Sequence, residues 1–232
     1  MTQTPRERAR LQTMSEIVSI GRKHLAVHGA AGLSLRAVAR ELGVVSSAVY
    51  RYVRNRDELL TLLLVDGYNA LGDAVDNAVN QIPAGDFAAQ FRALGGAVRA
   101  WAVAEPARYG LLFGSPVPGY EAPAEQTTVP GTRVITQLVR IIEEAHRAGK
   151  LRTDEPLAVP GPGLATDFSA IRQELGLSVP DHVLARGVLV WTALFGAVNF
   201  EVFGQYGRET FSDPAALFEL HLAALADLAG LI

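Results

Sequence analysis

The segment "GLSLRAVARELGVVSSAVYRYVRNRDELL", residues 32–60, decides the fold of the first quarter of the chain. Its first part has apolar residues three and four positions apart, the spacing of one helical face, at Leu35, Val38 and Leu42. Ser34 can cap this helix, and Gly43 can end it. A short helix is therefore predicted here, followed at once by a turn.

A second short helix is predicted after the turn. It should begin at Ser46 or at the serine after it, and it should bury Val49 and Val53, which are four residues apart. Asn55 then stands three residues before Glu58, the spacing of a capping box. That cap should open a longer helix, which runs to about residue 80.

Two short helices joined by a tight turn and packed on a longer helix, here about residues 6–28, form a helix-turn-helix unit. Such a unit presents its second helix to the major groove of DNA. The positions expected to fix the angle between the helices are Leu35, Val38, Val44 and Val49. The positions left outward are Arg36, Ser46, Ser47, Tyr50 and Arg51.

Charge is divided unevenly along the chain. Residues 1–60 hold ten Lys and Arg against five Asp and Glu, a net charge of +5, whereas the other 172 residues carry −8. A basic first quarter suggests that this end meets a polyanion. Arg6, Arg8 and Arg10 could enter a minor groove as an arm, or they could simply be solvated.

The composition predicts a cytoplasmic globular protein. A length of 232 residues with 49% hydrophobic content supports a large core, and the absence of cysteine excludes disulfides and thiolate catalysis. The first residues are polar and basic, without a signal-peptide pattern. Residues 187–200 carry no charge, but a membrane span needs ~20 residues, so no membrane partner is expected.

Helical spacing continues through the remaining residues, and no segment has a convincing strand pattern. The predicted helices cover residues 87–104, 106–113, 132–149, 164–175, 180–206 and a final stretch that Asp213 and Pro214 open. Residues 114–131 and 152–163 are predicted as loops rich in Pro and Gly. The last two helices are unusually apolar, which favours burial of one face by a second subunit.

The segment 32–60 resembles the DNA-binding region of TetR/AcrR-type helix-turn-helix transcriptional regulators. The shared features are the Leu-Ser opening, "LGV", the short helix that ends in Tyr-x-Tyr, and Glu-Leu-Leu at the start of the next helix. In addition, "WTALFGAVNFEVFG" (191–204) looks like the penultimate helix of one actinobacterial-looking subgroup, in which a tryptophan precedes a glycine by five positions. The resemblance implies an all-α fold, with a three-helix DNA-binding head over residues 1–58 and a helical ligand-binding and dimerisation body over residues 59–232.

The resemblance also implies which residues contact DNA: Ser34, Arg36, Ser46, Ser47, Ala48, Tyr50, Tyr52 and Arg56. The front of the second short helix would read base edges, whereas Tyr50, Tyr52 and Arg56 would hold phosphates. Positions 46 and 48 are smaller here than in better-studied members, where larger polar side chains contact bases. Sequence reading should then come from Arg36, from Arg51, or from DNA shape, although either arginine could equally hold a phosphate.

A ligand pocket in the body is a further implication of the resemblance. The candidate lining residues are mainly aromatic: Trp101, Tyr109, Phe113, Phe168, Trp191, Phe195 and Asn199. Ordinary core packing is the alternative for each of them. Asn199 is the most informative, because a buried amide in an apolar stretch needs hydrogen-bond partners.

Catalytic and metal-binding patterns are weak. His24 and His28 have the spacing of a helical metal pair, but no carboxylate stands beside them in the sequence. Glu143 and His146 match only one of the motifs that a di-iron bundle requires. The sequence predicts no metal, no cofactor and no enzymatic activity.

Together these features predict a transcriptional repressor. It would act as a homodimer on a palindromic double-stranded DNA operator, with recognition helices ~34–36 Å apart, and a small, largely apolar effector would release it. A DNA-binding regulator without an effector remains open as one alternative. An enzyme or carrier built on the helical body is the other.

Overall fold

The computed structural model describes residues 4–153, 161–207 and 209–231. These residues form eleven α-helices: α1 (Pro5–His28), α2 (Leu35–Glu41), α3 (Ser46–Tyr50), α4 (Arg56–Asn80), α5 (Phe87–Ala104), α6 (Pro106–Phe113), α7 (Ala124–Gly131), α8 (Arg133–Arg147), α9 (Pro162–Leu175), α10 (Asp181–Val202) and α11 (Pro214–Ala229). The only strand-like feature in this part of the chain is an isolated bridge between Leu151 and Leu231. The all-α fold class is confirmed.

Two sequence predictions about helix extent are wrong. Residues 114–131 were expected to be a loop, but α7 forms within them. Ala124, Glu125 and Gln126 favour a helix, and the Pro123 carbonyl accepts its first hydrogen bonds, from the Gln126 and Thr127 N–H groups. α10 stops at Val202 rather than near residue 206. The chain reverses there through Gly204, whose φ of 68° is a left-handed conformation that ends a helix.

The packing divides the chain into two compact units. Unit 1 comprises residues 1–70 and 104–131, and unit 2 comprises residues 71–103 and 132–232. α4 contributes to both units, because its first part lies in unit 1 and its last part in unit 2. The helix-turn-helix therefore shares its unit with α6 and α7, and a functional boundary at residue 58 stays a prediction.

The core of unit 1 is built from the first sixty-three residues, with later residues packed around it. Ile17, Val38, Val53 and Leu59 are fully buried in this core. Partly buried apolar residues from the second stretch of the unit cover it: Ala107, Leu111, Val117 and Tyr120. The head is thus held by α6 and by the loop after it as well as by its own three helices.

Unit 2 contains α5 and α8 to α11. α10 packs along α11, and α5 approaches α11 so closely that a Cβ at Gly95 would lie 2.3 Å from Leu222 Cδ2. α10 is long and apolar enough to cross a membrane, but only on length and composition, and 33% of its most apolar window is buried. This is weak support for a span, because core helices of soluble proteins meet the same criteria.

Candidate functional site

The turn between α2 and α3 fixes the direction in which α3 leaves the core. Gly43 has φ 72°, a left-handed conformation that suits glycine. Its N–H donates to the Arg40 carbonyl at 3.2 Å, and the Val44 N–H donates to the Ala39 carbonyl at 3.0 Å. This pair of bonds is the Schellman motif, which satisfies the free carbonyls at the end of α2.

The turn corrects one packing prediction. Val44 was expected to lock the two short helices together, but its side chain is 40% exposed. Leu35, Val38 and Val49 are buried as predicted, and they supply the contact. Val44 is not needed in the core because the Schellman hydrogen bonds already fix the turn.

The outer surface of α2 and α3 presents most of the predicted DNA contacts. Arg36, Ser47, Tyr50 and Arg51 are exposed, whereas Ser46 and Ala48 are half-buried. Neither Arg36 nor Arg51 makes a hydrogen bond or ion pair within the described residues. Both guanidinium groups are therefore available to an outside partner.

Three other predicted contacts are already engaged within unit 1. Ser34 caps α2, since its Oγ accepts from the Ala37 N–H at 3.4 Å. Tyr52 is half-buried against the core, and the Arg10 guanidinium carbon lies 5.9 Å from its ring centroid. Arg56 donates to the Ala30 carbonyl at 2.9 Å, so part of its guanidinium holds the start of α4 against the segment after α1.

The start of α4 has half of the expected capping box. Asn55 Oδ1 accepts from the Glu58 N–H at 2.8 Å, as predicted. Glu58, however, accepts from the Arg54 N–H at 2.5 Å rather than from Asn55. This bond to the Arg54 backbone lowers the pKa of Glu58, with further help from the Arg54 side chain.

His24 serves the packing of α1 on α2. Its Nε2 lies 2.8 Å from Glu41 Oε2, and Lys23 Nζ lies 3.4 Å from the other oxygen of the same carboxylate. The hydrogen bond with His24 holds the pKa of Glu41 below its ordinary value. Within the described ranges, no three His, Asp or Glu side chains are grouped so that they could hold a metal ion.

An apolar cavity of about 370 Å³ lies in unit 2 between α8, α9 and α10. Its lining is Ile135, Leu138, Val139, Ile142, Phe168, Ile171, Leu175, Leu177, Val179, Val183, Leu184, Gly187, Val188 and Trp191. Trp191 is the one lining residue whose side chain carries a hydrogen-bonding atom. Ile171, Leu175 and Val188 are exposed, so the cavity opens to solvent on their side.

The predicted ligand residues are distributed over both units. Of the seven, Phe168 and Trp191 line the cavity, and the Trp191 ring centroid lies 4.2 Å from that of Phe195. Tyr109 is completely buried in unit 1, where its ring lies 5.1 Å from that of Phe113. Burial raises the pKa of the Tyr109 hydroxyl well above its ordinary value.

The other two candidates, Trp101 on α5 and Asn199 on α10, are half-buried in unit 2 and are not among the residues that line the cavity. Sequence reasoning missed the aliphatic majority of the lining. Leucine, isoleucine and valine at helical spacing fill solid cores and line cavities alike, so no sequence signal distinguishes the two.

One wall of the cavity is held by Glu143, whose role sequence analysis missed. Its carboxylate accepts from the Ser178 hydroxyl at 2.6 Å, from the Ser178 N–H at 2.9 Å and from the Val179 N–H at 3.3 Å. Arg147 Nε donates to the same carboxylate at 2.6 Å. Burial opposes ionisation of Glu143, but these hydrogen bonds outweigh it and lower its pKa.

Part of the α10–α11 pair is exposed and apolar. Leu189, Phe200 and Leu220 are at least 45% exposed. Beside them runs a groove lined largely by small and apolar residues: Ala193, Gly196, Ala197, Phe200, Tyr206, His221, Ala224 and Leu225. Small side chains allow another helix to approach closely.

Comparison with known proteins identifies the family. The pattern "Bacterial regulatory proteins, tetR family" matches residues 17–63, which include the helix-turn-helix. The pattern "Tetracyclin repressor-like, C-terminal domain" matches residues 91–225. The chain belongs to the tetR family. It is 48% identical over 226 residues to an HTH-type transcriptional regulator of Mycobacterium tuberculosis, with 96% of each chain covered.

Solved structures agree with this assignment. The regulatory protein SCO4313, whose crystal structure is known, is 34% identical to this tetR-family chain. The two structures have a TM-score of 0.77, and the match covers 97% of this chain and 100% of SCO4313. The fold is also that of RolR, whose structure was determined in complex with resorcinol: 14% identity, TM-score 0.52, and coverage of 96% and 95%.

This tetR-family protein is therefore a DNA-binding transcription regulator of the helix-turn-helix class. The predicted family is confirmed. The expectation that the chain is not an enzyme is confirmed as well, because the family and the relatives are regulators.

Proposed function

We propose that the protein is a homodimeric repressor that binds a palindromic operator and leaves it when a small, largely apolar molecule binds unit 2. The observation that carries the ligand part of this proposal is the apolar cavity between α8, α9 and α10. Its volume of about 370 Å³ falls within the range of ~300–1,000 Å³ that is usual for ligand sites.

DNA recognition is assigned to the surface of α2 and α3. Arg36 and Arg51 are the long donors that can reach base edges, and Tyr50 can donate its hydroxyl to a phosphate. Ser46, Ser47 and Ala48 let the front of α3 approach the groove closely. Arg56 and Tyr52 contact DNA with whatever part of each side chain the internal contacts leave exposed.

Dimerisation is assigned to the exposed apolar surface of α10 and α11. Leu189, Phe200 and Leu220 would be removed from water, and the groove of small residues beside them would receive a helix of the partner. A two-fold axis is the commonest symmetry for such a pair. It also matches the two-fold symmetry of a palindromic operator.

Release of the protein from DNA requires only a modest coupling free energy between the ligand site and the DNA-binding surface. α4 belongs to both units, and we assign to it the transmission of ligand binding from unit 2 to the helix-turn-helix. A hundredfold loss of DNA affinity requires a coupling of ~2.7 kcal/mol, which lies in the usual range for allostery. RolR, the resorcinol-bound neighbour, gives a precedent at the level of the fold for a small molecule in this architecture.

The test starts from the full chain and a randomised double-stranded DNA library. Repeated selection should enrich a palindrome whose half-sites are one helical turn apart, ~34–36 Å, and analytical ultracentrifugation should show one dimer per site. A reporter driven from a promoter that overlaps the selected site should fall in expression when the protein is supplied. Enrichment of a single asymmetric half-site by a monomer, or a rise in expression, would refute the homodimeric repressor.

The alternative is a DNA-binding regulator without an effector. It predicts that the α8–α10 cavity remains empty in solution and that no small molecule alters operator affinity. The presence of a cavity in unit 2 favours the ligand-responsive form.

A further inference from the structure

The walls of the cavity restrict the chemistry of what can occupy it. We infer that the α8–α10 cavity binds an uncharged molecule that is hydrocarbon over most of its length, and that Gly187 sets the length it accepts. This inference rests on the proposed function only in making that molecule the effector. Binding itself requires no DNA.

The lining offers a ligand almost no polar partners. Thirteen of its fourteen residues have no hydrogen-bonding atom in the side chain, and the fourteenth is Trp191. A polar group buried without a partner is unfavourable because it loses its hydrogen bonds to water, and an isolated charge is far more unfavourable. The ligand can therefore bury one hydrogen-bond acceptor with a partner, which is the Trp191 indole N–H. Any further buried polar group would have none in the lining side chains.

The arginines on the same three helices already have partners. All five arginines of α8, α9 and α10 have partners: Arg133 with Asp73 and Asp76, Arg140 with Glu144, Arg147 with Glu143, Arg172 with Asp181, and Arg186 with the Arg152 carbonyl. These helices contain no lysine. A ligand carboxylate would have to compete with these partners for any of the five guanidinium groups.

The volume of the cavity restricts the size of the ligand. A volume of about 370 Å³ holds about a dozen non-hydrogen atoms, if each takes ~30 Å³, the share of a water molecule in the liquid. Buried residues such as Leu138, Val179 and Val183 form the deeper walls, and the exposed rim lets the molecule enter. A medium-length aliphatic ketone or ester fits these limits, and so does an alcohol whose O–H donates to water at the exposed rim.

Gly187 leaves space in the cavity that any side chain at this position would fill. A Cβ built on Gly187 meets only Ile142 Cδ1, at 3.5 Å, which is an ordinary contact. A larger residue at this position would therefore occupy ligand space without displacing a neighbour at its Cβ. Gly96 on α5 provides a matched control, since a Cβ there meets nothing within 4 Å and Gly96 does not line the cavity.

The experiment uses the full chain and n-alcohols from 1-hexanol to 1-dodecanol, with binding measured by calorimetry in the absence of DNA. Affinity should peak near 1-decanol. Decanoate and decylamine should bind at least about tenfold more weakly, because their charges lose hydration without gaining a partner. Gly187→Ala should move the optimum to a shorter alcohol, whereas Gly96→Ala should leave it unchanged.

Three outcomes would overturn the inference. Binding of decanoate or decylamine as tight as that of 1-decanol would refute an uncharged ligand. The same chain-length optimum in Gly187→Ala and Gly96→Ala would remove Gly187 as the determinant. Absence of binding by every alcohol in the series would also overturn the inference, and weakening of the dimer by Gly187→Leu in ultracentrifugation would then indicate that a second copy covers the cavity. If alcohols bind with the expected profile but operator affinity does not change, the inference about the cavity holds and the proposed effector-controlled release fails.

Discussion

The surface of α2 and α3 and the cavity of unit 2 are opposites in their physical chemistry. The surface exposes polar and charged groups, such as Arg36 and Arg51, that are available to an outside partner. The cavity encloses space between aliphatic side chains, and the arginines on its helices already have partners. A polyanion suits the first, and an uncharged molecule suits the second.

The two regions also differ in what holds them in shape. The turn before α3 depends on backbone hydrogen bonds that Gly43 permits, and the core beneath it is a continuous cluster of buried apolar side chains. The cavity depends on a polar clasp, in which Glu143 holds the backbone of Ser178 and Val179.

The largest expected effect separates solid core from cavity wall. Leu59 and Leu138 are equally buried, at 0% and 1% exposure, but Leu59 lies in the core beneath α3 and Leu138 borders empty space. Leu59→Ala should cost about 2–5 kcal/mol of unfolding free energy, and Leu138→Ala should fall at the low end of that range because fewer contacts are lost. Denaturant unfolding followed by circular dichroism measures both, and equal costs would mean that the cavity wall is packed like core.

The next effect concerns the operator preference conferred by the surface of α2 and α3. Arg36→Ala should cost about 1–3 kcal/mol at one base pair of each half-site and should relax the preference there, if the guanidinium bonds a guanine. Arg40→Ala removes the same charge from the same helix at a position outside the predicted contact set. Binding profiles on a randomised operator library decide the matter. A profile unchanged by Arg36→Ala would reassign Arg36 to a phosphate.

Tyr50 should behave differently from Arg36. Tyr50→Phe removes one hydroxyl and should weaken binding to all sequences alike, by about 1.5 kcal/mol, the lower end of the range for a hydrogen bond to a charged group. Tyr120→Phe is the control, because its hydroxyl bonds Thr61 at 2.9 Å within unit 1 and should not affect DNA affinity. Fluorescence anisotropy with specific and unrelated duplexes gives the comparison, and a changed operator preference would contradict a phosphate role for Tyr50.

The positions of α2 and α3 were largely predictable from sequence, and the cavity was not. The helical spacing of Leu35 and Val38, the glycine in the turn and the cap at Asn55 are local signals, so the short helices were found at their correct positions. The internal bond of Arg56 to Ala30 was missed, because the partners are 26 residues apart and no local pattern links them.

The candidate ligand residues were chosen for aromatic character, which marks any apolar environment. Phe168 and Trp191 do line the cavity, whereas Tyr109 packs in the other unit. Whether three apolar helices meet tightly or leave a gap depends on details such as the missing side chain at Gly187. These details follow from tertiary packing, which helical periodicity does not determine.

The smallest expected effect is a pH dependence at the cavity wall. Hydrogen bonds lower the folded-state pKa of Glu143 below its ordinary 4.5, so the carboxylate's contribution to stability is complete above pH 4.5. That contribution should be lost as the pH falls through the lowered folded-state value. Glu143→Gln removes the titration, so the stability difference between the wild-type protein and this variant should shrink between pH 6 and pH 3, roughly the acid range over which such carboxylates protonate.

Glu144→Gln supplies the matched control for the pH series. Glu144 is the adjacent residue on α8, its side chain is 51% exposed, and its contact with Arg140 is 4.0 Å long. An exposed pair of this kind contributes little, so its variant should track the wild-type protein at every pH. If both variants show the same pH dependence, the clasp on Ser178 and Val179 does not stabilise the ionised carboxylate. The cavity wall would then be held by apolar packing alone, like the core beneath α3.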